Sequence, residues 1–311
     1  MMVASVIICT HNPIPDHINR TLLSLKNQSL NFDKWELLIV DNASNKQVAT
    51  TVDISWHPLG RHLFEGKLGL TFARIKGIKE ANGEVIIFVD DDNCLKENYL
   101  AILIRKMEAA SMIGALGAGR IIPEFEIEPM PEVLPFLRSL ALRDEKRAHF
   151  SNEVKYHKAL PFGAGLGIRR KIALAFINTC LHCPVATTLG RIGEIVNSGD
   201  DINLALHACR DGHLAGVLPE LELIHIIPKN RLTQQYLVKI AAGHAASSYL
   251  LAQLWRSEEY PEHPIIKWGR YWKNRLNSKG LARKILIAEY KAEKTAQHQW
   301  NALTIKPKIQ F

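Results

Sequence analysis

Long apolar runs are missing from this 311-residue chain. None approaches the roughly 18 residues that a membrane-crossing helix needs, which argues against a span. Cysteine is scarce and odd in number: Cys9, Cys94, Cys180, Cys183 and Cys209 are the whole set. That count suits a reducing cytoplasm better than a disulfide scaffold. The opening M-M-V-A-S-V-I-I-C-T lacks the basic start of a secretory signal and reads as a strand. Two nucleotide fingerprints are absent as well. T-H-N-P follows the first apolar run where a dinucleotide fold would carry G-x-G-x-x-G, and no G-x-x-x-x-G-K-[ST] loop occurs. The C-L-H-C of residues 180–183 crowds its ligand types too closely to surround one tetrahedral zinc ion. No segment has the composition of disorder.

With 47% hydrophobic residues, the chain can bury one large core or two of ordinary size. The organising stretch is residues 84–93, E-V-I-I-F-V-D-D-D-N. Five consecutive apolar residues predict a fully buried strand, and Asp90, Asp91 and Asp92 stand where it leaves the sheet. Three adjacent carboxylates repel one another and call for a cationic partner, such as a divalent metal with oxygen ligands. A solvated acidic turn is the plain alternative.

Around that stretch the chain alternates. Residues 3–9 predict a strand, 14–28 a helix and 35–40 a second strand, with polar residues at each strand end, the pattern of a βαβ unit in a parallel sheet. A short strand is expected at 51–57, helices at 70–81 and 95–110, and a strand at 113–122. Beyond a Pro- and Glu-rich stretch the expected elements are a strand over 166–170, a short helix over 171–178, a helix starting at Asp200 and Asp201, two strands at 213–218 and 221–227, and a long helix over 232–254. Soft boundaries then divide a nucleotide-binding half (1–122), an acceptor-binding and catalytic half of the same domain (123–230) and a basic helical extension (231–311). From residue 231 onward 14 Lys and Arg face 5 Asp and Glu, so the net charge of +8 belongs to that extension. Its aromatics and aliphatics alternate with cations at helical intervals from residue 265. That pattern fits a helix lying on an anionic membrane or one packed on the protein's own core. No compact recognition motif for nucleic acid accompanies it.

Several residues carry the chemistry. Asp92 can coordinate a metal while Asp90 points to a ribose hydroxyl or a metal-bound water; Mg²⁺ or Mn²⁺ would complete its shell with a nucleotide's phosphates. Asp41 either accepts from a base N–H or caps its own turn, and Thr10 and Asn12 are placed at the base pocket. Arg74 can reach a diphosphate or pair with the aspartates. Asp200 and Asp201 are the general-base candidates, one of them free to cap the helix. His225 is a metal or phosphate ligand or a structural histidine, and Lys229 and Arg231 are phosphate contacts or a solvated basic turn.

S-V-I-I-C-T-H-N at residues 5–12, L-L-I-V-D-N-A-S at 37–44, the run G-L-T-F-A-R-I-K-G-I-K-E-A-N-G-E-V-I-I-F-V-D-D-D at 69–92 and G-D-D-I-N-L at 199–204 together resemble the family 2 glycosyltransferases. The resemblance implies an α/β fold of the A type, with a Rossmann-like, mostly parallel sheet flanked by helices and a C-terminal helical extension. It also implies inverting transfer of a sugar from a nucleoside diphosphate sugar to a glycan or lipid-linked acceptor, assisted by Mn²⁺ or Mg²⁺. The Asp41 position then meets the base, Asp90 and Asp92 match the D-x-D that binds ribose and metal, and His225 resembles a histidine near the metal. Asp201 matches the catalytic base, with Asp200 standing where the family usually has glutamate. The cysteine count and the basic tail, apart from the resemblance, set the expected place in the cytoplasm, with the inner face of a membrane as one setting for the tail. A nucleotidyltransferase, or a non-catalytic carbohydrate- or membrane-associated protein of the same fold, is the competing class.

Overall fold

The computed structural model describes residues 2–193, 195–255 and 264–302, with side chains apart from those of residues 264–268. Its first elements are β1 (Ala4–Thr10), α1 (Pro15–Lys26), β2 (Trp35–Asp41), β3 (Gly60–Phe64), α2 (Leu70–Glu80) and β4 (Val85–Val89). β1 pairs in parallel with both β2 and β4, and β2 with β3. Then come β5 (Asn93–Leu95), α3 (Tyr99–Ala109), β6 (Ile113–Phe125), β7 (Arg143–Asp144), β8 (His149–Ser151) and β9 (Gly167–Arg169). The remainder is α4 (Arg170–His182), α5 (Pro184–Thr187), α6 (Asp200–Arg210), β10 (Leu214–Ile227), α7 (Gln234–Trp255), α8 (Pro264–Asn277) and α9 (Gly280–Ala302). Strand order across the sheet is β3-β2-β1-β4-β9-β6-β10-β5, with β7 on β6 and β8 on β10. Short β9 runs antiparallel between β4 and β6, while the long β6–β10 pair is parallel. The architecture is the mixed α/β fold the sequence implies.

The unbroken apolar strands follow from burial on both faces. Ile7, Leu38, Val40, Ile86 and Phe88 join one cluster with Ala73 and Ile78 of α2, Phe176 of α4 and Leu204 of α6. Their sequence neighbours Val6, Ile8, Leu37, Ile39, Ile87 and Val89 join the other, with Leu22 and Leu25 of α1 and Leu100 and Leu103 of α3. Each strand therefore feeds two layers, and the buried polar pair in them, Ser5 of β1 and Glu36 of β2, is joined by a hydrogen bond.

Three expectations change. Residues 51–57 form turns rather than a strand, with Val52 and Ile54 tucked into the core, and the edge strand is β3. The two short strands expected at 213–218 and 221–227 are one, β10, whose register against β6 shifts between Leu218 and Glu222. Pro219 lies within that shift, where a residue without an N–H can sit in a strand. The helix expected from residue 95 starts at Tyr99, because residues 93–95 pair with β10.

β6 runs unbroken across residue 122. In the extension, Leu281 and Ile285 of α9 are buried with Leu237 and Ile240 of α7 and with Val133 and Leu140. Part of the tail thus packs on the protein's own core, while Leu276 is 75% exposed. The amphipathic pattern also involves the side chains of residues 265–268, which lie outside the described set, as do residues 256–263 and 303–311.

Candidate functional site

Parallel pairing brings the carboxyl ends of β1, β2 and β4 to one edge, with Thr10 opposite Asp41 and Ile8 opposite Val89. A cavity of about 530 Å³ opens there, the place where open α/β sheets bind ligands. The hydroxyl of Thr10 donates to Asp91 Oδ2. Antiparallel pairing of β5 with β10 sets His225 opposite Asn93, which brings His225 Nε2 to 3.6 Å from Asp92 Oδ2. The 3₁₀ turn that follows β10 (Lys229–Leu232) delivers Arg231, whose Nη1 lies 2.8 Å from the same oxygen. Asp92 Oδ1 accepts from Asn93 Nδ2 at 3.0 Å.

The other wall begins at α6. Gly199 precedes it, and Asp200 and Asp201 occupy its first turn, where carboxylates suit the positive end of the helix. Asp200 is buried against Arg74 of α2, with Nη1 to Oδ2 at 2.7 Å. Asp201 is held differently: Oδ2 accepts from the Gly163 N–H and Oδ1 from the Ile202 N–H, each at 2.8 Å. A Cβ at residue 163 would meet the Arg74 guanidinium and force that side chain to shift.

Burial and the adjacent Asp92 push Asp91 up to about 6 and raise Asp90 as well. Burial acts the same way on Asp92, but Arg231 and His225 outweigh it and hold that carboxyl well below the usual range. Burial opposes the charge on Arg74, yet Asp200, Asp201 and Asp90 keep its pKa above the ordinary value. Burial pushes the Cys9 thiol, also in the cavity wall, up to about 12, so it offers no thiolate nucleophile.

Of the residues picked from sequence, Thr10, Arg74, Asp90, Asp91, Asp92, Asp200, Asp201, His225 and Arg231 all line this cavity. Asn12, Asp41 and Lys229 are not in its wall. Asn12 accepts from the Asn45 N–H through Oδ1 at 2.8 Å. Asp41 is buried and accepts from the N–H groups of Ser44 at 3.0 Å and Val48 at 2.9 Å, so its carboxylate caps the loop after β2. Lys229 is exposed, and its backbone N–H donates to Glu126 Oε2 at 2.7 Å.

Sequence reasoning missed four cavity residues of note: Arg138, Arg191, Tyr236 and His244. Tyr236, Ile240, His244 and Ser248 stand four apart on α7 and form one stripe facing the cavity, and its three polar members were the available signal. Burial lowers the His244 pKa and keeps the ring neutral. α7 is pressed on the loop before α6. Ser247 Oγ accepts from the Ser198 N–H at 3.0 Å, and a Cβ on Gly243 would overlap the Val196 carbonyl.

The donor set fits a hard divalent ion. The Asp90 carboxylate has no hydrogen-bond or ion-pair partner among the described residues, and His225 Nδ1 is buried without one. No three metal-binding side chains already converge among the described residues. Mg²⁺-like ions bind through one or two carboxylates and fill the rest of their shell with water and substrate phosphate.

A family model described as "Glycosyl transferase family 2" matches residues 5–172. The uncharacterized glycosyltransferase YwdF of Bacillus subtilis (strain 168) is 29% identical over 112 residues. That match takes in 36% of this chain and only 41% of the relative. Residues 1–349 of S. aureus TarS superpose with a TM-score of 0.53 at 14% identity, over 96% of this chain and 92% of that one. The same protein in complex with UDP gives a TM-score of 0.51 at 14% identity, with the same coverage. Likeness at that identity speaks for the fold alone.

Proposed function

The chain belongs to glycosyl transferase family 2, and from that premise we propose that it moves a sugar from a nucleoside diphosphate sugar to a glycan or lipid-linked acceptor with inversion. One observation carries this reading: the acidic end of β4 and the oriented carboxylate of Asp201 face the same cavity from opposite elements. Asp200 is taken by Arg74, which leaves Asp201 as the carboxylate with room for a substrate hydroxyl. In the proposed step the acceptor oxygen bonds to the anomeric carbon while its proton passes to Asp201. The bond from that carbon to the diphosphate breaks, and the electron pair leaves with the diphosphate. Asp90, Asp92 and His225 would hold Mn²⁺ or Mg²⁺, which when bound neutralises charge on the leaving diphosphate. Arg231 and Arg191 are the cavity cations offered to the same oxygens.

The reading places the enzyme on the cytoplasmic face of an anionic membrane, through the extension. Residues 270–288 hold six Lys and Arg and no Asp or Glu. Among the described residues no helix is long and apolar enough to cross a membrane.

A screen of UDP-, GDP- and dTDP-sugars with Mn²⁺ or Mg²⁺ tests the reading, beginning with UDP because the TarS neighbour binds it. Turnover of one donor, with the opposite anomer in the product by NMR, is the expected result. Asp201→Asn should lower transfer by about 10²–10⁴ while nucleotide binding persists. A retained anomer, or full activity in that variant, would reject the assignment.

A further inference from the structure

Arg138 and Arg143 have no ion-pair partner among the described residues. Arg143 of β7 is largely buried. Its Nη2 donates to the Leu160 carbonyl at 3.0 Å, and its guanidinium stacks 4.0 Å from the centroid of the Phe162 ring, which lines the cavity. Its Nη1 is buried without a partner, and no carboxylate lies within ion-pair distance among the described residues. Burial accordingly lowers its pKa. Arg138, five residues earlier, lines the same cavity at the end of the 3₁₀ helix Leu134–Leu140; it is exposed to solvent and has no ion-pair partner among the described residues. Phe162 precedes Gly163, whose N–H holds Asp201, so this cationic ground lies on the side of the general base.

A buried guanidinium without a carboxylate is costly, and an apolar residue of similar volume is often the more stable choice. For Arg143 such a charge is explained by an anion held nearby, and Arg138, open to solvent in the cavity wall, is placed to hold it. The acidic wall formed by Asp90–Asp92 needs cations, so the donor's diphosphate has its own partners there, and Arg138 and Arg143 remain for the other substrate.

We propose that Arg138 and Arg143 form an anion subsite for the acceptor, selecting one that bears a phosphate close to the attacked hydroxyl. Arg138 supplies the direct contact from the cavity wall. Arg143 supplies positive potential from beneath Phe162, in a setting where water screens little. A guanidinium suits this task because its fork of donors matches phosphate oxygens. The inference rests on the transferase reading for what the bound anion does, but anion binding itself can be measured without turnover.

The test is calorimetry on the full chain with glucose 6-phosphate, glucuronate and glucose as probes, each alone and with saturating UDP and Mn²⁺. Glucose 6-phosphate is expected to bind at least about tenfold tighter than glucose, as one charge-assisted contact provides. Glucuronate reports a carboxylate-selective site if it binds more tightly than the phosphate, which overturns the phosphate assignment. Arg138→Gln should remove the preference for glucose 6-phosphate, and Arg138→Lys should keep part of it. Arg143→Met should weaken the phosphate probe while raising the melting temperature, a combination that a merely structural arginine would not give. Equal binding of all three probes to the wild type overturns the proposal. So does a loss in Arg138→Gln that falls on UDP instead, which would assign this arginine to the donor. If no nucleotide binds but the arginine-dependent phosphate preference stands, the transferase reading has failed and the anion site has not.

Discussion

Arg74→Met removes a guanidinium from a site only 3% exposed, where it meets Asp200, itself 3% exposed, at 2.7 Å. Methionine keeps most of the side-chain volume, so the main loss is the counter-charge of a buried carboxylate. Breaking a buried pair from one side costs about 3–5 kcal/mol, a large share of the roughly 5–15 kcal/mol that keeps a domain folded. The pH dependence identifies the cause. Without the lowering influence of Arg74, burial leaves the Asp200 carboxyl in the folded variant well above its unfolded value of about 4. A group raised in the folded state takes up its proton there first, so stability is fullest at acid pH and is lost as pH rises. The defect in Arg74→Met should therefore be largest at pH 8 and shrink toward pH 5, as followed by urea unfolding with tryptophan fluorescence. Adding Asp200→Asn should recover about 2 kcal/mol at pH 8, since the buried charge is then gone. Arg74→Lys, which keeps the charge and loses the fork, should fall between. A loss below about 1 kcal/mol at pH 8, equal losses at both pH values, or strict additivity in the double variant would each refute the reasoning.

Arg231 occupies Asp92 Oδ2 at 2.8 Å, where it competes with a divalent ion, so Arg231→Met should tighten Mn²⁺ binding measured without nucleotide. Unchanged Mn²⁺ affinity by calorimetry would remove that competition. Gly243→Ala places a methyl on the Val196 carbonyl and should lower stability by about 1–3 kcal/mol, with transfer falling further as α7 leaves the loop that leads into Asp200 and Asp201. A wild-type melting curve in that variant contradicts the close packing. His57 and His207 are both buried and held down to about 4 by burial. Unfolded histidine titrates near 6.5, so the unfolded chain binds more protons between about pH 6.5 and 4, and stability falls as pH drops through that window. The loss approaches about 3 kcal/mol for each histidine. A denaturation midpoint that is flat from pH 7 to 4.5 would show that the two rings are not buried as described.

Where structure depends on local period, the sequence was enough. Five apolar residues ending in three aspartates read as a strand that terminates at a charged edge, and β4 lies at Val85–Val89. The spacing of Ile18, Leu22 and Leu25 defines the buried face of α1, and paired aspartates after Gly199 mark the start of α6. Side-chain direction at the ends of elements depends instead on what the rest of the chain brings near. Asp41 and Asp90 both end parallel strands, yet Asp41 turns into its own loop and Asp90 into the cavity. Arg231 read as a phosphate contact or a solvated basic turn, and its pairing with Asp92 emerged only when β5 and β10 came together. The cavity-facing stripe on α7 went unread because the contacts that orient the helix, Gly243 and Ser247 on the loop before α6, join residues more than 40 apart in the chain. Periodicity specifies which residues are buried, but only the packed molecule decides which buried charges meet, because Coulomb and hydrogen-bond terms depend on distances that no local pattern encodes.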